Sequence, residues 1–128
     1  MRVFKTRHFS RWMRKTELTN CVLCNAVAEM ALGLIDADLG GGVVKKRVGF
    51  AGRGKRGGAR TLVATNKGDR WFFVFGFEKN ERANITGDEL DALQEIAAQL
   101  LARTGRQLDE AVSDGVLQEI CDDDKDQD

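Results

Sequence analysis

The sequence predicts a single domain in which helices cover a β-sheet, and three local patterns carry that prediction. Its 128 residues fall in the usual range for one domain. Residues 71–77 are apolar throughout, which is typical of a central strand covered on both faces. The turn cluster 66–69 separates this run from the strand-like run 59–65, so the two runs should form an antiparallel hairpin. Thr86 and Glu89 have the spacing of a capping box, which begins a helix suited to cover the hairpin.

The first half of the chain alternates strand and helix signals. Residues 1–6 predict a short strand, and 7–15 predict a helical turn or two with Phe9, Trp12 and Met13 on one side. Three successive glycines make 35–42 a predicted turn, and 43–50 fits a strand. A second helix is expected over 19–32, ended by Gly33. Its predicted apolar stripe is Leu18, Cys21, Val22, Asn25, Ala28 and Leu32.

The second half is predicted to end in helices and an acidic tail. Gly105 is placed to stop the helix that begins at Thr86, and 107–112 fits another short helix. Residues 116–120 fit either an edge strand or an amphipathic turn. The single domain is expected over 1–120, with 121–128 as an acidic, disordered tail. The stripe of the long helix is Leu90, Leu93, Ile96, Ala97, Leu100 and Leu101.

The charge distribution indicates a basic surface beside an acidic element. The net charge is zero, but residues 1–70 carry 15 Lys and Arg against 5 Asp and Glu. Residues 71–128 reverse these numbers, with 5 basic and 15 acidic residues. Such asymmetry favours a surface that faces nucleic acid; the alternative is that the two halves fold together with interleaved charges. No run is long enough for a membrane span and the start lacks a signal peptide, so we expect a cytoplasmic protein.

The cysteines and the histidine predict neither a metal site nor a triad. In a reducing compartment Cys21, Cys24 and Cys121 are free thiols by default, and the first two are expected to be buried on a helix face. Four zinc ligands are hard to assemble from these residues and the single histidine, His8. Alone beside a basic helix start, His8 is predicted to be a surface residue.

Two cationic clusters carry the chemical hypothesis. The glycine-rich segment 52–60 is expected to be a loop whose backbone and side chains meet a polyanion such as RNA. It lacks the spacing of a Walker loop, so a nucleotide site is not expected. The second cluster is 77–82, where the central strand ends. Hairpin pairing should bring Arg60 and Lys79 near one another, although ordinary surface ion pairs are the alternative.

Four phrases resemble the HigB-like branch of the RelE/ParE toxins of bacterial toxin–antitoxin systems. They are 37–42 (Ala-Asp-Leu-Gly-Gly-Gly), 46–47 (Lys-Arg), 52–60 (Gly-Arg-Gly-Lys-Arg-Gly-Gly-Ala-Arg) and 76–85, which begins Gly-Phe-Glu-Lys-Asn-Glu. The likeness covers roughly residues 1–120. It implies a small α+β fold with helices on a twisted, mainly antiparallel sheet, and a cognate antitoxin protein as partner. It also implies ribosome-dependent cleavage of messenger RNA without a metal or another cofactor.

The resemblance also implies roles for individual residues. Lys55 and Arg60 would stabilise the scissile phosphate, and Lys79 would be a cation or proton-transfer group. The base is Glu78, Glu81 or a lysine with a lowered pKa. In the absence of tyrosine, base stacking would fall to Trp71 or a phenylalanine. The residues expected to hold RNA backbone are Lys45, Lys46, Arg47, Arg53, Arg56, Arg70 and Arg82.

Three functions remain in competition at this point. The first is the RNA-cleaving toxin, and the second is a ParE-like poison of DNA gyrase on the same scaffold. The third is a non-catalytic RNA-binding module, favoured by the negative charge of Glu78 beside Lys79 and by Ala59, where relatives often have an aromatic residue. In each case the acidic tail 122–128 is suited to shield the basic surface until RNA displaces it.

Overall fold

A computed structural model describes residues 1–50 and 54–121, with the side chains of 54–56 excepted. Within these residues the chain forms six strands and four helices. In chain order they are β1 (Arg2–Thr6), α1 (Arg7–Met13), α2 (Asn20–Ala31), β2 (Ala37–Gly40), β3 (Val43–Phe50), β4 (Gly54–Thr65), β5 (Arg70–Glu78), α3 (Gly87–Leu101), α4 (Gly105–Ser113) and β6 (Leu117–Ile120).

The strands form one sheet in the order β2-β3-β4-β5-β1-β6. All neighbours are antiparallel except β1 and β5, which run parallel with Val3 opposite Trp71. The predicted hairpin is confirmed as β4 and β5, and 116–120 is confirmed as an edge strand rather than a turn. The fold is therefore α+β with a mainly antiparallel sheet.

Helices cover both faces of the sheet, because side chains along each strand point alternately to its two sides. On β5, Trp71 and Phe73 pack in the core beneath α1 and α2, whereas Phe72 and Val74 pack beneath α3 and α4. The run 71–77 is thus a central strand with apolar cores on both sides, as predicted. We call the two sides the α1–α2 face and the α3–α4 face.

Glycine interrupts the apolar run at Gly76 because the ring of Trp12 lies there. A Cβ on Gly76 would come within 2.3 Å of that ring. The contact places α1, which begins directly after β1 ends at Thr6, beside the end of β5.

Helix starts were predicted more accurately than the buried faces of the helices. The capping box of Thr86 and Glu89 is present, with Thr86 Oγ1 accepting from the Glu89 N–H at 3.1 Å. The predicted stripe of α2 is wrong, since Cys21 is exposed and Leu32 is 83% exposed. The side chains that α2 buries are Leu23, Ala26, Val27 and Met30.

Two turn predictions also need correction. Gly105 does not stop α3, which ends at Leu101; it is instead the first residue of α4. The segment 35–42 is only partly a turn, because Ala37–Gly40 forms a strand paired with β3 before the glycines reverse the chain.

The basic glycine-rich segment is largely a strand and not a loop. Backbone pairing of β3 and β4 continues as far as Phe50 opposite Gly54. The register shifts between Val48 and Phe50, where Gly58 approaches closely. A Cβ on Gly58 would lie 1.9 Å from the Val48 carbonyl oxygen, so only glycine fits this approach. The cations of the segment are therefore carried largely on a strand.

The prediction of three free cysteines is wrong in this structure. Cys24 on α2 and Cys121 after β6 form a disulfide across a sequence separation of 97 residues. Cys21 is free, but it is exposed rather than buried. None of the described helices combines the length and apolar character that a membrane span needs. Of the predicted disordered tail, 121–128, Cys121 is instead held by the disulfide, and residues 122–128 lie outside the described residues.

Candidate active site

Two arginines face each other across β3 and β4. Arg47 lies directly opposite Arg60, and Arg60 lies directly opposite Phe77 on β5. Directly paired residues point to the same face, with Cβ atoms about 5 Å apart. The three side chains therefore form one row on the α3–α4 face, which we call the arginine row. Lys45, two residues before Arg47, points to the same face by strand alternation.

The two arginines of the row differ in their partners. The Arg47 side chain lies 3.8 Å from an Asp36 carboxylate oxygen. In contrast, Nη1 of Arg60 is buried and has no hydrogen-bond partner within the described part of the chain. A buried N–H without an acceptor costs free energy, and a like-charged neighbour directly opposite adds to that cost. An anion that accepts from Arg60 would remove both costs.

A third arginine lies above the aromatic end of β5. The Arg82 guanidinium lies 5.5 Å from the centre of the Phe77 ring and 5.9 Å from that of Phe75. It also donates to the Glu89 carboxylate, at 3.0 Å in one of two bonds, and to the Asn84 carbonyl oxygen at 3.1 Å. The bonds from Arg82, with one from the Thr86 N–H, lower the pKa of Glu89 to about 2. Arg82 is thus held in one place, with its own pKa raised by the hydrogen bonds that it donates to Glu89.

The sequence interpretation missed what α1 adds to this region. A cleft of about 320 Å³ lies between α1 and the end of β5. His8 is exposed, as predicted, but it also stacks on Phe75, with ring centres 5.5 Å apart, and so forms part of the cleft wall. The helical spacing of His8, Arg11 and Lys15 was the available signal, but it did not show which element they would face. Among the residues that line the cleft are His8, Arg11, Lys15, Phe75, Phe77, Glu81 and Arg82.

Two residues expected to bind RNA are engaged elsewhere. Lys46 is buried on the α1–α2 face, where Nζ lies 2.8 Å from a Glu29 carboxylate oxygen and donates to the Leu34 carbonyl oxygen at 2.8 Å. Arg70 lies at the other end of β5, about 25 Å from Glu78 at roughly 3.3 Å per residue, and it donates to the Arg103 carbonyl oxygen. We therefore leave both out of the site.

Glu78 and Lys79, at the end of β5 and just after it, lie in different places relative to Arg60. Glu78 lies opposite Ala59, which belongs to the core of the α1–α2 face, so strand alternation places Glu78 on the other face from Arg60. Lys79 is exposed in the turn after β5. The pairing predicted for Arg60 holds at the backbone, because its partner Phe77 lies two residues before Lys79.

Three further predicted residues are described only in part or not at all. Arg53 is outside the described residues, and so are the side chains of Lys55 and Arg56. The backbone of Lys55 and Arg56 belongs to β4, five and four residues before Arg60.

Comparison with known proteins agrees with the architecture and the resemblance. The family described as the RelE toxin of the RelE/RelB toxin–antitoxin system matches residues 1–120. No curated protein matches the chain. The matched residues include every described helix and strand, from β1 to β6. The chain therefore belongs to the RelE toxin family.

Proposed function

We propose that this chain is a toxin of the HigB-like branch that cuts messenger RNA on the ribosome in the cytoplasm and is neutralised by a cognate antitoxin. One observation carries the proposal. Arg60 has a buried guanidinium nitrogen without a hydrogen-bond partner in the described chain, and another arginine lies directly opposite it. This arrangement fits the doubly anionic phosphorane that forms when a phosphodiester is attacked.

The reaction needs charge stabilisation and two balanced proton transfers. The ribose 2′-oxygen attacks the adjacent phosphorus, and the bond from phosphorus to the 5′-oxygen breaks. The 2′-hydroxyl loses a proton and the leaving 5′-oxygen gains one, which gives a cyclic phosphate and a 5′-hydroxyl. Arg60 is assigned to the phosphate, together with Lys55 and Lys79 as further cations.

The cleft beside α1 supplies groups for proton transfer. An imidazole, His8, and a carboxylate, Glu81, both line it, and either type of group acts as a general acid or base. We favour these residues over Glu78, which strand alternation directs to the other face of the sheet. Phe75 and Phe77 offer ring surface to a base. Lys45, Arg47, Arg53, Arg56 and Arg82 are assigned to the RNA backbone.

Expression without an antitoxin tests the proposal directly. Growth should stop, and translated messages should carry new 5′-hydroxyl ends, which polynucleotide kinase labels without prior phosphatase treatment. Arrest with intact messages and double-strand DNA breaks would instead identify a gyrase poison. Salt-sensitive RNA binding with neither RNA cuts nor arrest would identify a non-catalytic module.

Substitution of Arg60 separates catalysis from folding. Arg60→Ala should abolish arrest, whereas Arg106→Ala should not, because Arg106 is an exposed α4 cation far along the chain from the arginine row. His8→Gln should slow cleavage while leaving RNA affinity unchanged. Undiminished cleavage in Arg60→Ala would remove this site from the mechanism.

A further inference from the structure

A second basic cleft lies on the other side of α1, against β1 and the loop that leads into β6. Its volume is about 380 Å³, and none of its lining residues is acidic. The polar side chains that line it are Lys5, Arg7, Ser10, Arg11, Arg14 and Gln118. No family resemblance or sequence pattern assigned a role to this cleft.

Three arginines of the cleft share one helical face. Arg7, Arg11 and Arg14 have the spacing i, i+4, i+7, which places them along about 10 Å of the helix axis at 1.5 Å per residue. Arg14 retains helical backbone angles as the C-terminal cap of α1. The first turn of α1 contains no acidic residue, so nothing on this helix offsets their charge.

These cations also lack neutralising partners within the described residues. Nε of Arg7 donates to the Gly115 carbonyl oxygen at 3.2 Å, which is an uncharged acceptor. Arg11 and Arg14 are exposed, and their side chains form no ion pair or hydrogen bond in the part of the chain that the structure describes. Lys5 is different: it is buried, and its Nζ donates to Asn20 Oδ1 at 2.8 Å.

Arg11 connects this cleft to the candidate active site, because it lines both clefts that flank α1. A polyanionic strand leaving the region of Arg82 and Phe77 would therefore meet Arg11 next, and then Arg7 and Arg14. A chain of phosphates fits such a path better than a membrane surface does, since the cleft is polar and lies beside exposed arginines without an apolar rim of exposed side chains on α1.

We infer that the cleft between α1 and β6 is a second RNA-binding site that holds the phosphodiester backbone, independent of sequence, outside the catalytic centre. The inference rests on the proposed function in that both concern RNA. The two can be tested separately, because binding of the RNA backbone requires neither ribosomes nor cleavage.

The test is binding of a fluorescent single-stranded RNA homopolymer to the full chain without ribosomes, measured by anisotropy across a salt series. The test variant is Arg7→Gln with Arg14→Gln, because Arg11 also lines the cleft of the candidate active site. The matched control is Arg103→Gln with Arg106→Gln, which removes the same charge from the helical region after β5. Both variants change exposed or partly exposed side chains, and circular dichroism checks their folding.

The test variant should bind at least about tenfold more weakly near 0.1 M salt, and its slope of log affinity against log salt should fall by about 1.4, at roughly 0.7 for each lost phosphate contact. The control should bind like the parent. Equal losses in both variants would overturn the inference, as would an unchanged test variant. Arginine-dependent binding to phosphatidylserine vesicles without RNA binding would overturn it too.

A separate measurement distinguishes failure of this inference from failure of the proposed function. Arg60→Ala should retain most of the RNA affinity while losing cleavage. RNA binding through Arg7 and Arg14 in a chain that never cuts RNA would support the second site and refute catalysis. Cleavage by a chain whose RNA affinity does not depend on Arg7 and Arg14 would support catalysis and refute the second site.

Discussion

Replacement of Arg60 by methionine should make the protein more stable as well as inactive. The guanidinium carries a buried nitrogen without a partner in the described residues, and Arg47 lies directly opposite. Relief of the unpaired group is worth about 1–3 kcal/mol, and relief of a like-charged cross-strand pair adds about 0.2–1 kcal/mol. Methionine keeps the apolar stem of arginine, so little packing is lost. The free energy of unfolding should therefore rise by about 1–3 kcal/mol.

Urea denaturation of the purified chain measures this change, and Arg47→Met is the matched control. Arg47 is exposed and has Asp36 at 3.8 Å, so its replacement should change the free energy of unfolding by less than about 1 kcal/mol. Cleavage by Arg60→Met should fall about 100-fold or more, the usual loss when one donor to a transition-state oxyanion is removed. A clear loss of stability in Arg60→Met would mean that Arg60 is a structural residue and would refute the reasoning.

The remaining predictions concern the disulfide, pH and the tail. Cys24→Ser with Cys121→Ser should destabilise the oxidised chain by up to about 4.7 kcal/mol, the entropy of closing a loop near 100 residues, whereas Cys21→Ser should be neutral; a denaturation difference below about 1 kcal/mol would contradict this. Because Arg82 lowers the pKa of Glu89 from 4.5 to about 2, their pairing stabilises the fold fully above pH 4.5 and is lost as the pH falls towards 2. Melting temperatures should show this loss in the parent and not in Glu89→Gln. Deletion of 122–128 should tighten RNA binding at low salt; unchanged affinity would exclude shielding by the tail.

Local patterns predicted the parts of the fold that depend on local physics. The capping box at Thr86 needs only the spacing of two side chains, and the hairpin of β4 and β5 needs only a turn between two strand-like runs. By contrast, which side of α2 is buried depends on its packing against residues that are distant in the sequence. Its sequence offers apolar residues on more than one side, so the sheet decides that Leu23 and Val27 face inward while Leu32 does not.

The same distinction applies to the candidate site. Hairpin pairing correctly predicted that Arg60 would lie beside the end of β5. Lys46 looked like another surface cation, and only its pairing with Glu29 on α2 shows otherwise. The position of His8 depends on the parallel pairing of β1 with β5, which places α1 beside Phe75. His8 and Phe75 are 67 positions apart in the sequence. Contacts of that range leave no local pattern.

The described cations divide into those that have a carboxylate partner and those that have none within the described residues. Many described cations have a carboxylate partner: Arg2, Lys46, Arg47, Lys67, Arg70, Arg82 and Arg106. Among the cations without one in the described residues, Arg103 stands apart in the connection before α4. The others fall on α1 or near the arginine row: Arg7, Arg11, Arg14, Lys15, Lys45, Arg60 and Lys79.

Folding alone gives no reason for that clustering, because unpaired like charges repel one another and an acidic half of equal and opposite charge is present in the same chain. A polyanion that crosses α1 and ends at Arg60 would neutralise both groups together. The two proposed RNA sites are therefore best understood as one path, in which the α1 cations would hold the backbone and Arg60 would meet the phosphate that reacts. On this account, charge removed from α1 should weaken RNA binding at every sequence, whereas charge removed at Arg60 should chiefly slow the chemical step.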